Sequence, residues 1–112
     1  MAKVTRGDAI EAATTALSNL QDDELVASGV RTSLDWLATE HPGRAVEVRV
    51  PPHRAVQILG GTTHRRGTPP AVVEMSAQTW LELFTKKLTW TDALSSGQVV
   101  ASGERSDLSE LF

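Results

Sequence analysis

The sequence contains no cysteine and no tyrosine. Without cysteine there is no disulfide, no zinc–thiolate site and no thiol nucleophile. Without tyrosine there is no phenolic acid or base. No apolar run approaches the ~20 residues that a membrane-spanning helix needs. The opening Met-Ala-Lys-Val-Thr-Arg-Gly-Asp lacks the apolar core of a signal peptide, so a cytoplasmic location is expected. No low-complexity tract argues for disorder, and 40% hydrophobic residues is ordinary for a folded domain. The 112 residues are expected to form one domain, residues 1–112. Folding a chain of this size buries roughly two-thirds of its unfolded surface, so a core needs no staples.

Catalytic constellations are missing as well. His41, His53 and His64 fall at predicted turns, and their spacing matches no metal motif. The serines sit at caps and turns, where their hydroxyls serve the local backbone rather than a nucleophilic triad. Gly60-Gly61-Thr62-Thr63 lacks the lysine and the spacing of a phosphate-binding loop, and reads as a turn. No enzymatic activity, metal or cofactor is expected.

What is present begins with an uneven charge distribution. The net charge is −3, but residues 1–40 carry −4, residues 41–66 carry +4 and the remainder −3. The middle segment holds Arg44, Arg49, Arg54, Arg65 and Arg66 against Glu47 alone. A solvated strand face accounts for such a segment. So does an anionic contact, whether lipid headgroup, membrane surface or acid-bearing ligand. His64, Arg65 and Arg66 are the candidate headgroup contacts, since arginine offers bidentate contacts to phosphate. Nucleic acid is not an expected partner: the net charge is acidic, and no aromatic residues interleave with the arginines for base stacking.

Periodicity divides the chain in two. A first helix is predicted from Asp8, with Ile10, Ala13, Leu17 and Leu20 on one stripe. That stripe is thin and alanine-rich, which suits close packing against a neighbour. A second helix is predicted over 23–40, with Val26, Val30, Leu34 and Leu37 on its main stripe and Trp36 on a flank. His41-Pro42-Gly43 ends it. Together they form a helical hairpin over 8–40. Over 44–50 the pattern becomes strict alternation, Val46, Val48 and Val50 against Ala45, Glu47 and Arg49. Pro51-Pro52-His53-Arg54 makes a turn into a second strand over 55–59, and a third strand is predicted over 71–75. The strands read as an antiparallel meander.

The most punctuated stretch is 76–103. Ser76 is a good helix N-cap. Trp80, Leu81, Phe84 and Leu88 fall on one helical stripe behind it. Thr89 and Asp92 open a second, shorter helix as a capping pair, and Gly97 can close it in a left-handed conformation. A strand over 98–102 ends at Gly103, and Ser106 or Asp107 caps a last helix over 108–112. Thr79-Trp80, Thr89-Trp90, Ala93, Gly97, Val99 and Ser102-Gly103 together resemble the C-terminal half of the sterol carrier protein type-2-like family. The resemblance spans roughly residues 72–112. Upstream, V-E-V-R-V-P-P and R-G-T-P-P-A-V-V-E are similar to a small bacterial subgroup of that family.

The resemblance implies an α+β fold: an antiparallel or mixed sheet of about five strands, with helices packed on one face. The missing strand would lie between Leu59 and Ala71. It also implies non-catalytic binding of an apolar ligand, such as a sterol, fatty acid or acyl-CoA, in a tunnel between sheet and helices. On that reading Val73 and Met75 line the ligand site from the third strand, and Trp80, Phe84 and Leu88 from the helix after it. Leu94, Leu108, Leu111 and Phe112 complete it, the last two on a helix that could move as a lid. The same side chains would equally serve as an ordinary solid core. In that case the fold is an interaction or dimerisation module, docking through the basic segment or the alanine-rich hairpin. The protein is expected as a monomer or weak homodimer, with transient membrane-surface contact through the basic segment.

Overall fold

A computed structural model describes residues 3–60, 71–103 and 106–112. Helix α1 (Arg6–Leu17) starts two residues before the predicted Asp8, because Thr5 is the cap. The Asp8 backbone N–H donates to Thr5 Oγ1 at 3.1 Å, and the Thr5 N–H donates to Asp8 Oδ2 at 3.0 Å, a complete capping box. Asp22 caps helix α2 (Asp23–Glu40) by accepting from the N–H groups of Glu24 and Leu25. The bounds of α2 are those predicted, and Val26, Val30, Leu34 and Leu37 are all buried.

The buried face of α1 differs from the predicted stripe. Ala9, Ala13 and Ala16 are buried, Ile10 and Leu17 lie at the margins, and Leu20 is exposed beyond the helix end. The reason is on α2. A Cβ on Gly29 would lie 2.6 Å from Ala16 Cβ and 2.8 Å from the Ala12 carbonyl oxygen. Backbones this close admit only the alanine face, so the larger side chains are rotated outward.

Strand β1 (Val46–Val50) turns through 51–53 into β2 (Arg54–Ile58), paired antiparallel with Val48 opposite Val56. Gly43 precedes this hairpin with φ 146°, and a side chain there would collide with the Leu59 carbonyl group. Strand β3 (Ala71–Met75) lies on the other side of β1, and parallel to it. The sheet is therefore mixed, with strand order β2-β1-β3-β4, rather than an antiparallel meander. Four strands are present among the described residues. The segment where a fifth was sought, 61–70, lies outside them, as do His64, Arg65 and Arg66.

Helix α3 (Ala77–Phe84) is capped by Ser76, as predicted. It ends earlier than its apolar stripe suggests. Lys86 takes φ 64°, the Lys86 N–H donates to the Leu83 carbonyl, and the Lys87 N–H to the Glu82 carbonyl. This is a Schellman turn with lysine in the place glycine usually holds. Leu88 consequently lies outside the helix. Thr89 caps α4 (Trp90–Ser95), and Gly97 follows it with φ 79°. Strand β4 (Val99–Ser102) then pairs antiparallel with β3. The expected terminal helix is a single 3-10 turn, Ser109–Leu111.

Helices cover one face of the sheet. Val46, Val48, Val50, Ile58, Ala71, Val73, Met75 and Val99 meet them there and are buried. The other face carries Glu47, Arg49, Val72, Glu74, Gln57 and Val100, and Val100 is 65% exposed. The strict alternation along β1 is the sequence record of this one-sided burial.

Candidate functional site

The apolar residues expected to line a ligand converge under α3. Val73 and Met75 project from β3 into the core, Trp80 is fully enclosed, and Leu108 is buried. Phe84, Leu88, Leu111 and Phe112 pack against this cluster while remaining partly exposed. Leu94 stands apart, 40% exposed on the outer side of α4.

The rings form a continuous row. Trp36 meets Phe84 edge to face at 5.9 Å, and Phe84 lies 5.4 Å from Trp80. Phe112 meets Trp80 edge to face at 5.7 Å and stacks on Trp90 at 6.0 Å with the rings 11° from parallel. Each such contact adds about 0.5–1.5 kcal/mol beyond area burial. Trp36 and Trp90 belong to this row, although neither is among the nine residues expected to line the ligand. The signal for Trp36 was available: it flanks the α2 stripe, one position off the buried Leu37.

A buried polar contact fixes the centre of the row. Trp80 Nε1 donates to Ser33 Oγ at 2.8 Å, and that hydroxyl lies 2.6 Å from the Gly29 carbonyl oxygen and 3.1 Å from that of Val30. Ser33 is thus oriented by its own helix to accept the indole N–H. Near the other end, the Ser109 N–H donates to Asp107 Oδ1 at 2.9 Å and holds the Asp107 carboxyl below the usual aspartate range. The Trp90 indole N–H is buried without a hydrogen bond of standard geometry among the described residues. Its pull on Asp107 is the weakest of the causes.

Two surface clefts lie elsewhere. One follows the α1–α2 turn, lined by residues 18–24. The other, of about 420 Å³, lies between α2 and β2 and includes Arg31, Asp35, Trp36 and Arg54. Neither is lined by the nine apolar residues above. His41 is the C-cap of α2 and His53 sits in the β1–β2 turn, so the described histidines do not meet. Among the described residues no cluster of His, Cys, Asp or Glu could hold a metal ion. No helix there is long and apolar enough to cross a membrane.

Residues 22–112 match the family described as bacterial SCP ortholog. The chain belongs to this family. It is the sterol-carrier group to which the cap-helix-cap-strand pattern of 76–103 points. The matched region begins at Asp22, the N-cap of α2, so α1 lies outside it. The bacterial SCP match therefore takes in the whole four-stranded sheet, the aromatic row and Ser33. No curated protein matches the chain.

Proposed function

We propose that the protein is a non-catalytic cytoplasmic carrier that holds an apolar ligand, a sterol, fatty acid, acyl-CoA or similar lipid, between the sheet and the helices. Membership of the bacterial SCP family supports this reading. The observation that carries it is the position of Leu111 and Phe112. Both are only partly buried: Leu111 ends a three-residue 3-10 turn, and Phe112, just after it, lies against Trp80 and Trp90. A short turn resting on aromatic rings is a cover that can lift without unfolding the sheet. An acyl chain entering beneath it would lie along Phe84, Leu88, Val73 and Met75, with Leu108 below, and Leu94 at the outer rim. A headgroup contact at His64, Arg65 and Arg66 remains part of the proposal.

The energetics suit loose selectivity. Ten buried methylenes give roughly 8 kcal/mol gross at ~0.8 kcal/mol each. Lost translational and rotational freedom offsets at least about 4 kcal/mol of that. The net of at most about 4 kcal/mol corresponds to a Kd of about 1 mM or weaker, so tighter retention calls for a longer buried chain or the headgroup contact.

Native mass spectrometry with organic extraction of freshly purified protein tests the reading. A lipid at near-stoichiometric occupancy is expected. Phe112→Ala should lower uptake of a fluorescent fatty acid severalfold while costing about 1–3 kcal/mol of stability from its two ring contacts. A lipid-free mass together with no fatty-acid uptake would sink the carrier reading.

One observation favours the second reading, a protein-interaction or dimerisation module. One face of the sheet is not covered by any of the described helices, and on it stands the exposed Val100, opposite Glu74 of β3. Concentration-dependent mass in light scattering, abolished by Val100→Lys, would support that reading.

A further inference from the structure

Two indole N–H groups are enclosed at the aromatic row, and they are treated differently. Trp80 donates to Ser33 Oγ at 2.8 Å. Trp90 is 5% exposed, and its Nε1 is buried with no hydrogen-bond partner among the described residues. A buried donor left unmade is costly, so an acceptor within reach is drawn to it. Asp107 is such an acceptor. Its carboxyl is held below the ordinary aspartate range first by the Ser109 backbone N–H and then by the Ser109 hydroxyl, and the Trp90 indole adds a small pull in the same direction. The carboxyl therefore lies near the indole but short of bonding geometry. A carboxylate offers about four acceptor sites. The Ser109 N–H takes one, at Oδ1 and 2.9 Å, and capacity remains for the indole.

Trp90 opens α4 directly after its Thr89 cap, and its ring stacks on Phe112 at 6.0 Å. Asp107 stands at the other end of the short segment that carries Phe112, just before the 3-10 turn Ser109–Leu111. Leu108, between Asp107 and the turn, is 1% exposed and anchors the segment, while Leu111 and Phe112 stay half-buried. We propose that Asp107 is the positioning residue of the cover: its carboxylate accepts the Trp90 indole N–H and fastens the turn that leads to Phe112 onto the start of α4. Trp90 is then gripped twice by one segment, by Asp107 through its N–H and by Phe112 through its ring face. The bond from Asp107 is charge-assisted and directional, so it sets where the turn comes to rest. Any effect on ligand exchange rests on the carrier reading, whereas the bond itself does not.

Asp107→Asn separates the two tasks of the carboxyl. The asparagine carbonyl oxygen can still accept the Ser109 N–H, but its amide group presents a donor where the second carboxylate oxygen stood. In ¹H–¹⁵N spectra of the whole protein, the Trp90 indole N–H of this variant should move upfield and exchange with solvent about tenfold faster, the loss expected for a charge-assisted hydrogen bond. The Trp80 indole N–H, held by Ser33, should stay in place. Release of dansyl-labelled undecanoic acid, followed by stopped-flow fluorescence, should quicken severalfold. Trp90→Phe keeps a ring for Phe112 and removes the donor, so the double variant should release the probe no faster than either single one. An unchanged Trp90 indole signal in Asp107→Asn would overturn the assignment and leave Asp107 as a cap of the 3-10 turn alone. Probe release unchanged by Asp107→Asn, or additive effects of the two substitutions, would equally sink its role in the cover. If the indole signal responds but none of these proteins takes up the probe, the bond stands and the carrier reading fails.

Discussion

Ser33 shows how one small polar residue sets the position of a large apolar one. Its hydroxyl is the acceptor for the buried Trp80 indole N–H. Ser33→Ala leaves that donor in an apolar interior with no replacement, at a cost of about 1–3 kcal/mol. Urea unfolding of the variant should show this loss at an unchanged slope, and a change below about 0.5 kcal/mol would mean water or another group can substitute. The pairing was not legible in the sequence. Ser33 is 47 positions from Trp80, and a serine in mid-helix reads as a solvent-facing or weakly destabilising residue. Trp80 itself was legible, four residues after a serine cap on an apolar stripe.

Between elements, the α1–α2 contact is decided by size. Gly29→Ala should raise helix propensity by about 1 kcal/mol, yet the added methyl meets Ala16 and the Ala12 carbonyl. Overpacking against backbone costs about 1–3 kcal/mol, so net destabilisation is expected, read as a lower melting temperature. The α1 cap responds to pH. Its Asp8 carboxyl is held below the ordinary aspartate value, first by the Thr5 backbone N–H and then by the Thr5 hydroxyl. A depressed folded-state value means the contribution is complete above the unfolded-state value and is lost as pH falls through the folded one. Protection of the first-turn amides of α1 against exchange, taken relative to the intrinsic rate at each pH, should therefore fall on acidification through that range, and Asp8→Ala should remove the dependence. An identical pH response in Asp8→Ala would count against the capping box as its source. Element boundaries were read best where a side chain caps them, at Asp22, Ser76 and Thr89, or where Gly97 supplies a left-handed backbone. They were misread where Lys86 took a left-handed turn that its side chain does not advertise. The Ile10–Leu17 stripe failed for a related reason, since a stripe records hydrophobicity and not how near the partner backbone comes.

At the scale of the whole molecule, periodicity and punctuation determined the order of elements, and the family pattern identified the half that carries it. The pairing of β1 with β3 was hidden, because alternation along a strand tells which face is buried but not which neighbour covers its edge. The cleft around Arg54 was hidden too: a charged residue beside a turn reads as solvent-facing until the register turns it inward. The strand order β2-β1-β3-β4 also bears on synthesis. As the chain leaves the ribosome, β1 and β2 can pair at once, but the other edge of β1 must wait for residue 75. At about 5–20 residues per second, those 25 residues take roughly 1–5 s. For that interval the nascent protein presents one unpaired edge of β1, with Val46, Val48 and Val50 on one side. That is where a trigger-type chaperone, or a neighbouring chain on the same polysome, would find its grip.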